Sequence, residues 1–450
     1  MLHPRTPWRA PHLPAAIGGC ILTIAICSRA DSGPVETGPS PRTFVPPTLG
    51  LTWPVATYEA ESGRLSGTAI IVGSADGSDR SVGDPAGEAS HRQAVLLTSA
   101  GDTVSWVTEA PQEGVNALVL RYSIPDAAGG GGATGTLELS IRSHSGATPP
   151  HKTLTLTSRY AWLYGGVMDG TKLFNVPANA ASYATASTPT HLYDEIQLTL
   201  GLALQATDVI TLEKTTASGV ATIAVDFVDL EAVPPPLPRP TGFLSITDPR
   251  CGALALDLRQ SGSVFDGQDD SSYGSVFNTA LGNNPYNPAS DVVDAVIPDG
   301  IRAELTNSTI DNVWVEHTFS GIKTNQNSQA VHIAHSRVRN TFADGIDFYG
   351  STRASFISDS SARSTGDDGF AMWAQGSTLA AASSSNRISD STAQLQWYGN
   401  GFAIYGGTEG AITRSTAADI LNYPCLLSNG STSTFQITAN ICSASMCRGF

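Results

Sequence analysis

The sequence predicts an all-β protein in which an N-terminal β-sandwich (jelly roll) is followed by a right-handed parallel β-helix. Three observations predict this class. Charged residues are only 14% of the 450 residues, where about 25% is usual, and Ser, Thr, Ala and Gly take their place, which argues against long helices. Alternating apolar and polar runs occupy residues 55–233, and a long-period repeat begins after residue 240.

The first 30 residues have the pattern of a secretory signal peptide. Arg5 and Arg9 precede an apolar run that ends at Cys27, and small residues follow at the expected cleavage site. No later run reaches the ~20 apolar residues that cross a bilayer, so we expect a secreted, extracellular protein without a membrane partner. Cleavage removes three arginines and no acid, which changes the net charge from −15 to −18. Such an acidic chain is unsuited to nucleic acid.

Four cysteines remain after the predicted cleavage. Their even number suits an oxidising compartment, and no Cys-x-x-Cys metal motif is present. Their pairing cannot be derived from their spacing. They are Cys251, Cys425, Cys442 and Cys447.

Two proline-rich segments divide the chain. Residues 31–54 predict a linker, and residues 234–240 (PPPLPRP) predict an extended hinge that cannot continue a sheet. Between them, runs such as 153–157 (TLTLT) and 195–200 (EIQLTL) are separated by Gly- and Pro-rich turns. This pattern is typical of a β-sandwich over residues 55–233.

Two short acidic motifs lie at the ends of the predicted sandwich. Residues 58–61 (YEAE) and 225–231 (VDFVDLE) resemble carbohydrate-binding modules of the family 6 and family 35 type. The resemblance implies that the first and last strands meet and that their acids hold a structural calcium ion, with Glu59, Glu61 and Asp226 as ligands. Glu59 and Glu61 also share one face of a strand, where two carboxylates attract a hard cation. The alternative is that these are solvated strand acids.

The region 241–450 contains a repeat in which glycine precedes an apolar residue. Gly321, Gly345, Gly369 and Gly401 follow one another at intervals of 24, 24 and 32 residues. Twenty-four residues is about one coil of a parallel β-helix, and the longer interval accommodates an inserted loop. Residues one coil apart then stack about 4.8 Å from one another. The expected columns are Ile322, Ile346, Phe370 and Phe402 inside the helix, and Ser320, Asp344, Asp368 and Asn400 before the glycines.

This stacking brings three acids together. Asp344 lies over Asp368, and Asp367 stands beside it. At such spacing one carboxyl keeps its proton while another ionises, which is the asymmetry that glycoside hydrolysis requires. Stability alone would not favour this arrangement, so we predict that the three acids are catalytic. The alternative is that they are turn residues, since Asp-Gly is a common turn pair.

The strands after the glycines predict a substrate-binding surface. Alternation directs Tyr349, Trp373 and Tyr405 outward in one column, and flat aromatic faces beside acids suit the apolar face of a sugar ring. Asp347 also points outward on this surface and shares a column with Lys323, with which it can form a partly exposed ion pair. The alternative is that the aromatic residues are covered by a loop and serve only for packing.

Residues 342–350 (FADGIDFYG) and 365–373 (TGDDGFAMW) resemble the catalytic core of the α-1,3-glucanases and mycodextranases of glycoside hydrolase family 87. The resemblance covers roughly residues 55–450 and includes the interval between the two motifs. It implies an inverting hydrolysis of a neutral α-glucan such as α-1,3-glucan, with Asp367 as the general acid and with Asp344 and Asp368 holding the nucleophilic water. It implies no cofactor for catalysis.

Other functions remain open at this point. A similar set of three acids occurs in polygalacturonases, although an acidic protein is a poor host for an anionic polysaccharide. A polysaccharide lyase and a non-catalytic glycan-binding β-helix are further alternatives. Family members usually have more coils beyond the acids, so we expect a C-terminally truncated catalytic domain. We expect a monomer, with His317, His332 and His335 at the surface or in turns, because no ligand spacing connects them.

Overall fold

The computed structural model describes most of the predicted sandwich and β-helix. The described residues are 50–51, 55–73, 85–109, 114–125, 133–143, 151–158, 160, 162–163, 190–200, 203–232, 264–266, 299–374, 383–421, 423–428, 435–438 and 441–442. The predicted signal peptide, all of the predicted linker except Gly50 and Leu51, and the predicted hinge lie outside these residues.

The first half of the described chain is an antiparallel β-sandwich. One sheet has the strand order β11-β6-β13-β4-β3 with β1 added to β13, and the other has the order β2-β5-β12-β7-β8. A short helix α1 (Pro85–Glu88) and 3-10 turns at Ala60–Ser62 and Ser90–Arg92 connect strands of this region. The strands are β1 Val55–Glu59, β2 Arg64–Ser66, β3 Ile70–Gly73, β4 Gln93–Leu97, β5 Thr103–Val107, β6 Ala117–Ser123, β7 Thr134–Arg142, β8 His151–Thr157, β9 Trp162–Leu163, β10 Thr190–His191, β11 Asp194–Thr199, β12 Val209–Glu213 and β13 Ile223–Glu231.

Alternation along the strands forms the sandwich core. In β7, Leu137, Leu139 and Ile141 are buried between the sheets, while the residues between them are more exposed. Strands β6 and β13 differ, because every one of their residues is buried. A strand is buried on both faces only when a second layer covers its outer face.

The second half is a parallel β-helix of three sheets. Their strand orders are β14-β17-β20-β23-β26-β29-β32, β15-β18-β21-β24-β27-β30 and β16-β19-β22-β25-β28-β31. The strands are β14 Val264–Asp266, β15 Ile301–Ala303, β16 Thr306–Asp311, β17 Trp314–Glu316, β18 Ile322–Thr324, β19 Gln329–Ala334, β20 Arg337–Thr341, β21 Ile346–Tyr349, β22 Phe356–Ser358, β23 Ser361–Thr365, β24 Phe370–Trp373, β25 Arg387–Ser389, β26 Thr392–Gln394, β27 Phe402–Tyr405, β28 Gly410–Thr413, β29 Thr416–Ala418, β30 Leu426–Ser428, β31 Phe435–Thr438 and β32 Ile441–Cys442.

The predicted apolar column is confirmed. Ile322 pairs in register with Ile346, Ile346 with Phe370, and Phe370 with Phe402. The Phe370 and Phe402 rings stack with centroids 5.1 Å apart. The sheets described above confirm the all-β class, the sandwich and the parallel β-helix. No helix among the described residues is long and apolar enough to cross a membrane.

The glycine repeat has a steric cause. A Cβ atom on Gly345 would come within 2.4 Å of the Gly369 carbonyl oxygen, and one on Gly369 within 2.8 Å of the Gly401 carbonyl oxygen. The chain turns so tightly after each acidic position that only hydrogen fits between successive coils. Gly300 continues this ladder toward the N-terminus, since its Cβ would meet the Gly321 carbonyl oxygen at 2.7 Å. Its interval of 21 residues concealed it in the sequence.

The sandwich and the β-helix belong to one compact unit. The outer faces of β6, β11 and β13 pack on the β-helix sheet that contains β20 and β23, and both of these strands are buried along their whole length. The described residues of the sandwich and the β-helix share an interface, and the predicted hinge between them lies outside the described residues.

Candidate active site

Two successive coils carry the predicted catalytic acids in equivalent turns. Strand β20 ends at Thr341 before Asp344, and β23 ends at Thr365 before Asp367 and Asp368. In each turn the threonine hydroxyl donates to a backbone carbonyl two residues ahead, over 2.7 Å for Thr341 and 2.9 Å for Thr365. We call residues 342–345 and 366–369 the acidic turns.

The acidic turns stack directly on one another. The Gly345 amide donates to the Asp368 carbonyl oxygen over 2.8 Å, which places Asp344 and Asp368 at equivalent positions of adjacent coils. One carboxylate oxygen from each of Asp344, Asp367 and Asp368 lies within 4.8 Å of the other two. Asp344 and Asp367 are partly exposed, whereas Asp368 is only 2% exposed. The structure thus brings the three predicted catalytic residues together.

Burial and mutual repulsion perturb this cluster. Desolvation, reinforced by the charges of Asp367 and Asp344, raises the pKa of Asp368 well above its usual value. Burial also raises the pKa of Asp344, although the ammonium of Lys323, 3.5 Å from its Oδ2, opposes the shift. Carboxyl groups in this setting hold protons that isolated acids would release. The cluster therefore has the asymmetry that acid–base chemistry needs, with one carboxyl that retains its proton more readily than an isolated acid.

Asn400 orients the most buried acid. Its backbone amide and its side-chain Nδ2 donate to Asp368 Oδ1 over 2.9 and 2.6 Å. The same Nδ2 donates to the Tyr405 hydroxyl over 3.2 Å. Burial and the charges of Asp368 and Asp367 raise the pKa of Tyr405, which keeps its hydroxyl protonated. Asn400 was placed in the acidic column from the sequence, but no role was assigned to it.

The predicted aromatic ladder is present beside the acids. Tyr349 pairs in register with Trp373, and Trp373 with Tyr405. The Tyr349 and Trp373 rings are parallel within 2°, with centroids 4.9 Å apart. All three residues are partly exposed. The Tyr349 ring also has the Lys323 ammonium 4.8 Å from its centre, so the ladder presents only part of its ring surface to solvent.

Asp347 was predicted to lie on the substrate-binding surface, but its side chain is buried. It is 1% exposed, and the Lys323 ammonium lies 2.8 Å from its Oδ2 and 4.8 Å from the centre of the Tyr349 ring. The expected ion pair is present, with the Asp347 carboxylate buried and the Lys323 side chain 14% exposed. Desolvation, only partly offset by Lys323, raises the pKa of Asp347 to about 7. Its contact is with Lys323, which also reaches Asp344.

A second pair of aromatic residues beside Asp367 was not predicted. Tyr398 and Tyr423 lie edge to face with centroids 5.1 Å apart, and Tyr423 is 40% exposed. Burial and the hydrogen bond with Tyr423 raise the pKa of Tyr398 to about 12, and the charge of Asp367 contributes to this shift. Their separation of 25 residues is close to one coil and could have indicated the stacking. Gly399, next to Tyr398, is required because its Cβ would lie 2.2 Å from the Asp367 carbonyl carbon.

The predicted calcium ligands are brought together only in part. Strands β1 and β13 pair as expected, and Glu59 and Glu61 converge, but the third member of the group is His91 rather than Asp226. Asp226 is buried, paired with Arg121 and bonded to the Ser90 amide over 3.0 Å.

A protonated histidine supplies positive charge at this acidic group. Hydrogen bonding to Glu61 raises the pKa of His91 to about 9, and the His91 Nδ1 lies 3.7 Å from Glu59. Calcium prefers oxygen ligands, so the group fits calcium only through its two glutamates. The calcium site at Glu59, Glu61 and Asp226 stays a prediction.

Of the four cysteines that remain after the predicted cleavage, Cys425 is the one whose side-chain surroundings the structure describes. Cys425 is disulfide-bonded and packs in the β-helix core, with a partner sulfur outside the described side chains.

Carboxylates that converge beside stacked aromatic rings on a parallel β-helix define a carbohydrate-active hydrolase. Residues 52–233 match the family model for the alpha-1,3-glucanase catalytic domain D1, and residues 270–439 match the model for catalytic domain D2. Together these matches span more than half of the chain. The chain therefore belongs to the α-1,3-glucanases of glycoside hydrolase family 87. The model that matches the sandwich describes part of the catalytic domain.

Solved structures have the same fold. The Agl-KA catalytic domain is 23% identical with a TM-score of 0.67, covering 88% of this chain and 78% of that chain. The catalytic unit of a thermostable GH87 alpha-1,3-glucanase from Streptomyces thermodiastaticus strain HF3-3 is 22% identical with a TM-score of 0.59, covering 87% and 75%. A GH87 alpha-1,3-glucanase catalytic domain in complex with nigerose is 21% identical with a TM-score of 0.61, covering 87% and 76%. No curated protein matches the chain.

Proposed function

We propose that this protein is a secreted enzyme that hydrolyses α-1,3-glucan, a neutral polysaccharide, within the chain and with inversion at the anomeric carbon. The observation that carries the proposal is the convergence of carboxylate oxygens of Asp344, Asp367 and Asp368 within 4.8 Å beside a partly exposed aromatic ladder. The protein acts as a monomer and needs no cofactor for the reaction.

The three acids take different roles in this proposal. Asp367, partly exposed beside Tyr398, gives its proton to the leaving glycosidic oxygen. Asp344 and Asp368 hold the attacking water between them. Two oxygens less than about 5.5 Å apart can share one water at ordinary hydrogen-bond lengths. Lys323 favours the ionised form of Asp344, which makes Asp344 the group that accepts the proton of the water.

Related structures support these assignments. Alanine variants at three aspartates of GH87 α-1,3-glucanase catalytic domains were solved with nigerose or tetrasaccharides. Those aspartates lie 23 positions apart and then next to one another. Asp344, Asp367 and Asp368 have the same spacing.

The short distances between the carboxylates favour a second candidate reaction, in which the anomeric configuration is retained. Retaining glycosidases have carboxyl groups about 5–5.5 Å apart and inverting ones about 6.5–9.5 Å apart. A retaining reaction would use one of these aspartates as a nucleophile that forms a covalent glycosyl intermediate. The stereochemistry of the first product distinguishes the two reactions, since inversion of an α-linkage releases a β-anomer.

The test begins with insoluble α-1,3-glucan. We expect new reducing ends and, by proton NMR within the first minutes, the β-anomer; the α-anomer would support the retaining alternative. Protein that binds this glucan and releases no product would support a glycan-binding function instead. An unsaturated, ultraviolet-absorbing product would indicate a lyase.

The roles of the acids are separated with an activated substrate. An aryl α-1,3-gluco-oligosaccharide with a good leaving group needs no acid catalysis, so Asp367→Asn should keep most of its activity on it while losing activity on glucan. Asp344→Asn should lose activity on both substrates, and added azide should restore turnover as a β-glycosyl azide. Equal losses for both variants on both substrates would contradict the assignment.

A further inference from the structure

The sandwich contacts the bends that lead into the acidic turns. His317, Asn340 and Ser364 each precede the threonine at the end of a coil, and each has a left-handed backbone, with φ of 56°, 45° and 55°. Residues other than glycine adopt this conformation at a cost in free energy, so surrounding contacts must hold it. At all three bends, part of the side-chain contact comes from the sandwich.

Asp194 at the start of β11 holds two of these bends. Its Oδ1 accepts a hydrogen bond from Asn340 Nδ2 over 3.0 Å and lies 2.8 Å from His317 Nε2. His317 lies in a turn, one of the two placements expected for it, but it is buried there and its ring stacks on Tyr160 with centroids 3.4 Å apart. The third bend is reached by Arg121 on β6, whose Nη2 donates to Ser364 Oγ over 3.4 Å.

Glu195, the next residue, connects the two strands that precede the acids. Its Oε2 accepts hydrogen bonds from Arg339 Nε over 3.1 Å and from Arg363 Nη1 over 3.2 Å. Arg339 on β20 and Arg363 on β23 are paired in register on adjacent coils. One carboxylate oxygen of the sandwich therefore fixes neighbouring strands that end three residues before Asp344 and two residues before Asp367.

We propose that Asp194 and Glu195 are positioning residues, through which the sandwich holds the two acidic turns at the separation that the reaction requires. This inference rests on the proposed function for its catalytic consequence, but the mechanical link between sandwich and acidic turns can be measured without it. Neither residue reaches the cleft, and both act through the backbone of adjacent coils.

The experiment compares Asp194→Ala with the full-length parent protein. We expect kcat on α-1,3-glucan to fall by about 10-fold to 100-fold, since small displacements of catalytic groups have effects of this size, with KM changed less than about threefold. Asp194→Asn retains an acceptor oxygen for Asn340 and should recover most of kcat. Should Asp194→Ala not fold, Asn340→Gly removes the same hydrogen bond from the other side while suiting a left-handed bend, and it should lower kcat in the same way.

The second measurement does not depend on activity. Amide hydrogen exchange in the peptides containing residues 342–346 and 366–370 should accelerate in Asp194→Ala and in Glu195→Gln. The matched control is Leu212→Ala, which creates a cavity in the other sandwich sheet and should lower the melting temperature without changing kcat or exchange in the acidic turns.

Each outcome bears on the proposal. Unchanged exchange in both peptides together with unchanged kcat overturns it, and so does an equal loss of kcat in Leu212→Ala, which would indicate stability rather than positioning. A parent protein inactive on α-1,3-glucan would refute the proposed function instead. In that case faster exchange at the acidic turns in Asp194→Ala still supports the positioning role, and unchanged exchange overturns it.

Discussion

Two regions of the molecule bury charge, and they do so in opposite ways. At the interface between sandwich and β-helix, three arginines meet three acids over 2.9, 3.1 and 2.6 Å. At the candidate active site, three acids converge on one another, and the Lys323 ammonium lies 3.5 Å from Asp344. The arginines are Arg337, Arg339 and Arg363, and the interface acids are Glu231, Glu195 and Asp229.

This comparison distinguishes charges that stabilise the interface from charges that are arranged for chemistry. In a buried pair each charge is met by an opposite charge and by hydrogen bonds, so removing one partner leaves the other uncompensated. A buried cluster of like charge shifts its own pKa values and retains protons, which costs stability but prepares acid–base chemistry. The predictions below test this contrast from the largest expected effect to the smallest.

Removing one acid from the cleft should abolish activity while stabilising the fold. Asp368→Asn should lower kcat on α-1,3-glucan by about 10²-fold to 10⁴-fold. Because the pKa of Asp368 is raised above 3.8 in the folded protein, the unfolded chain loses this proton first as the pH rises, and stability falls. The variant lacks this loss, so its melting temperature should exceed that of the parent protein at pH 7. The difference should vanish below pH 3.8, and a variant less stable at pH 7 would contradict the argument.

Removing one acid from the interface should have the opposite effect on stability. Arg337 donates to Glu231 Oε2 from both Nε and Nη2, over 3.1 and 2.9 Å. Glu231→Ala leaves a buried guanidinium without this carboxylate and should cost about 3–5 kcal/mol in the free energy of unfolding, measured by denaturant titration. The double variant Glu231→Leu, Arg337→Met removes both charges and should recover most of that loss. No recovery would mean that the pair matters for reasons other than charge.

The sequence predicted the cleft better than the interface, for a physical reason. A 24-residue interval determines which residues stack, so the column of Asp344 and Asp368 follows from counting along the chain. The interface depends on which outer face the sandwich covers, and alternation alone presents Arg339 and Arg363 as solvated residues. The burial of His317 in its turn was not predicted for the same reason. The burial of Asp347 was not predicted because strand parity gives the direction of a side chain and not how much of it neighbouring groups cover.

A smaller effect on activity is expected from substitutions in the aromatic ladder, which is proposed to contact the substrate through apolar ring surface rather than through charge. Trp373 stacks on Tyr349 and is partly exposed. Trp373→Ala should raise KM on soluble α-1,3-gluco-oligosaccharides about 2-fold to 10-fold, as the loss of an aromatic contact worth about 0.5–1.5 kcal/mol predicts. The kcat should change little, and Trp373→Phe should restore most of the affinity. A loss confined to kcat would instead indicate packing against the acids.

The smallest effect on the free energy of unfolding is expected for an ion pair that is exposed to solvent. Arg414 Nε donates to Asp390 Oδ1 over 2.7 Å, but the arginine side chain is 53% exposed. Water and salt screen such a pair, so Arg414→Ala should cost only about 0.2–1 kcal/mol, and less in high salt, with kcat unchanged. In this pair, as in the Arg337–Glu231 pair, two guanidinium nitrogens donate to one carboxylate group, but here the arginine is exposed. An equal cost for Arg414→Ala and Glu231→Ala would mean that pairing alone determines the energy, and the contrast between the two regions would then lose its basis.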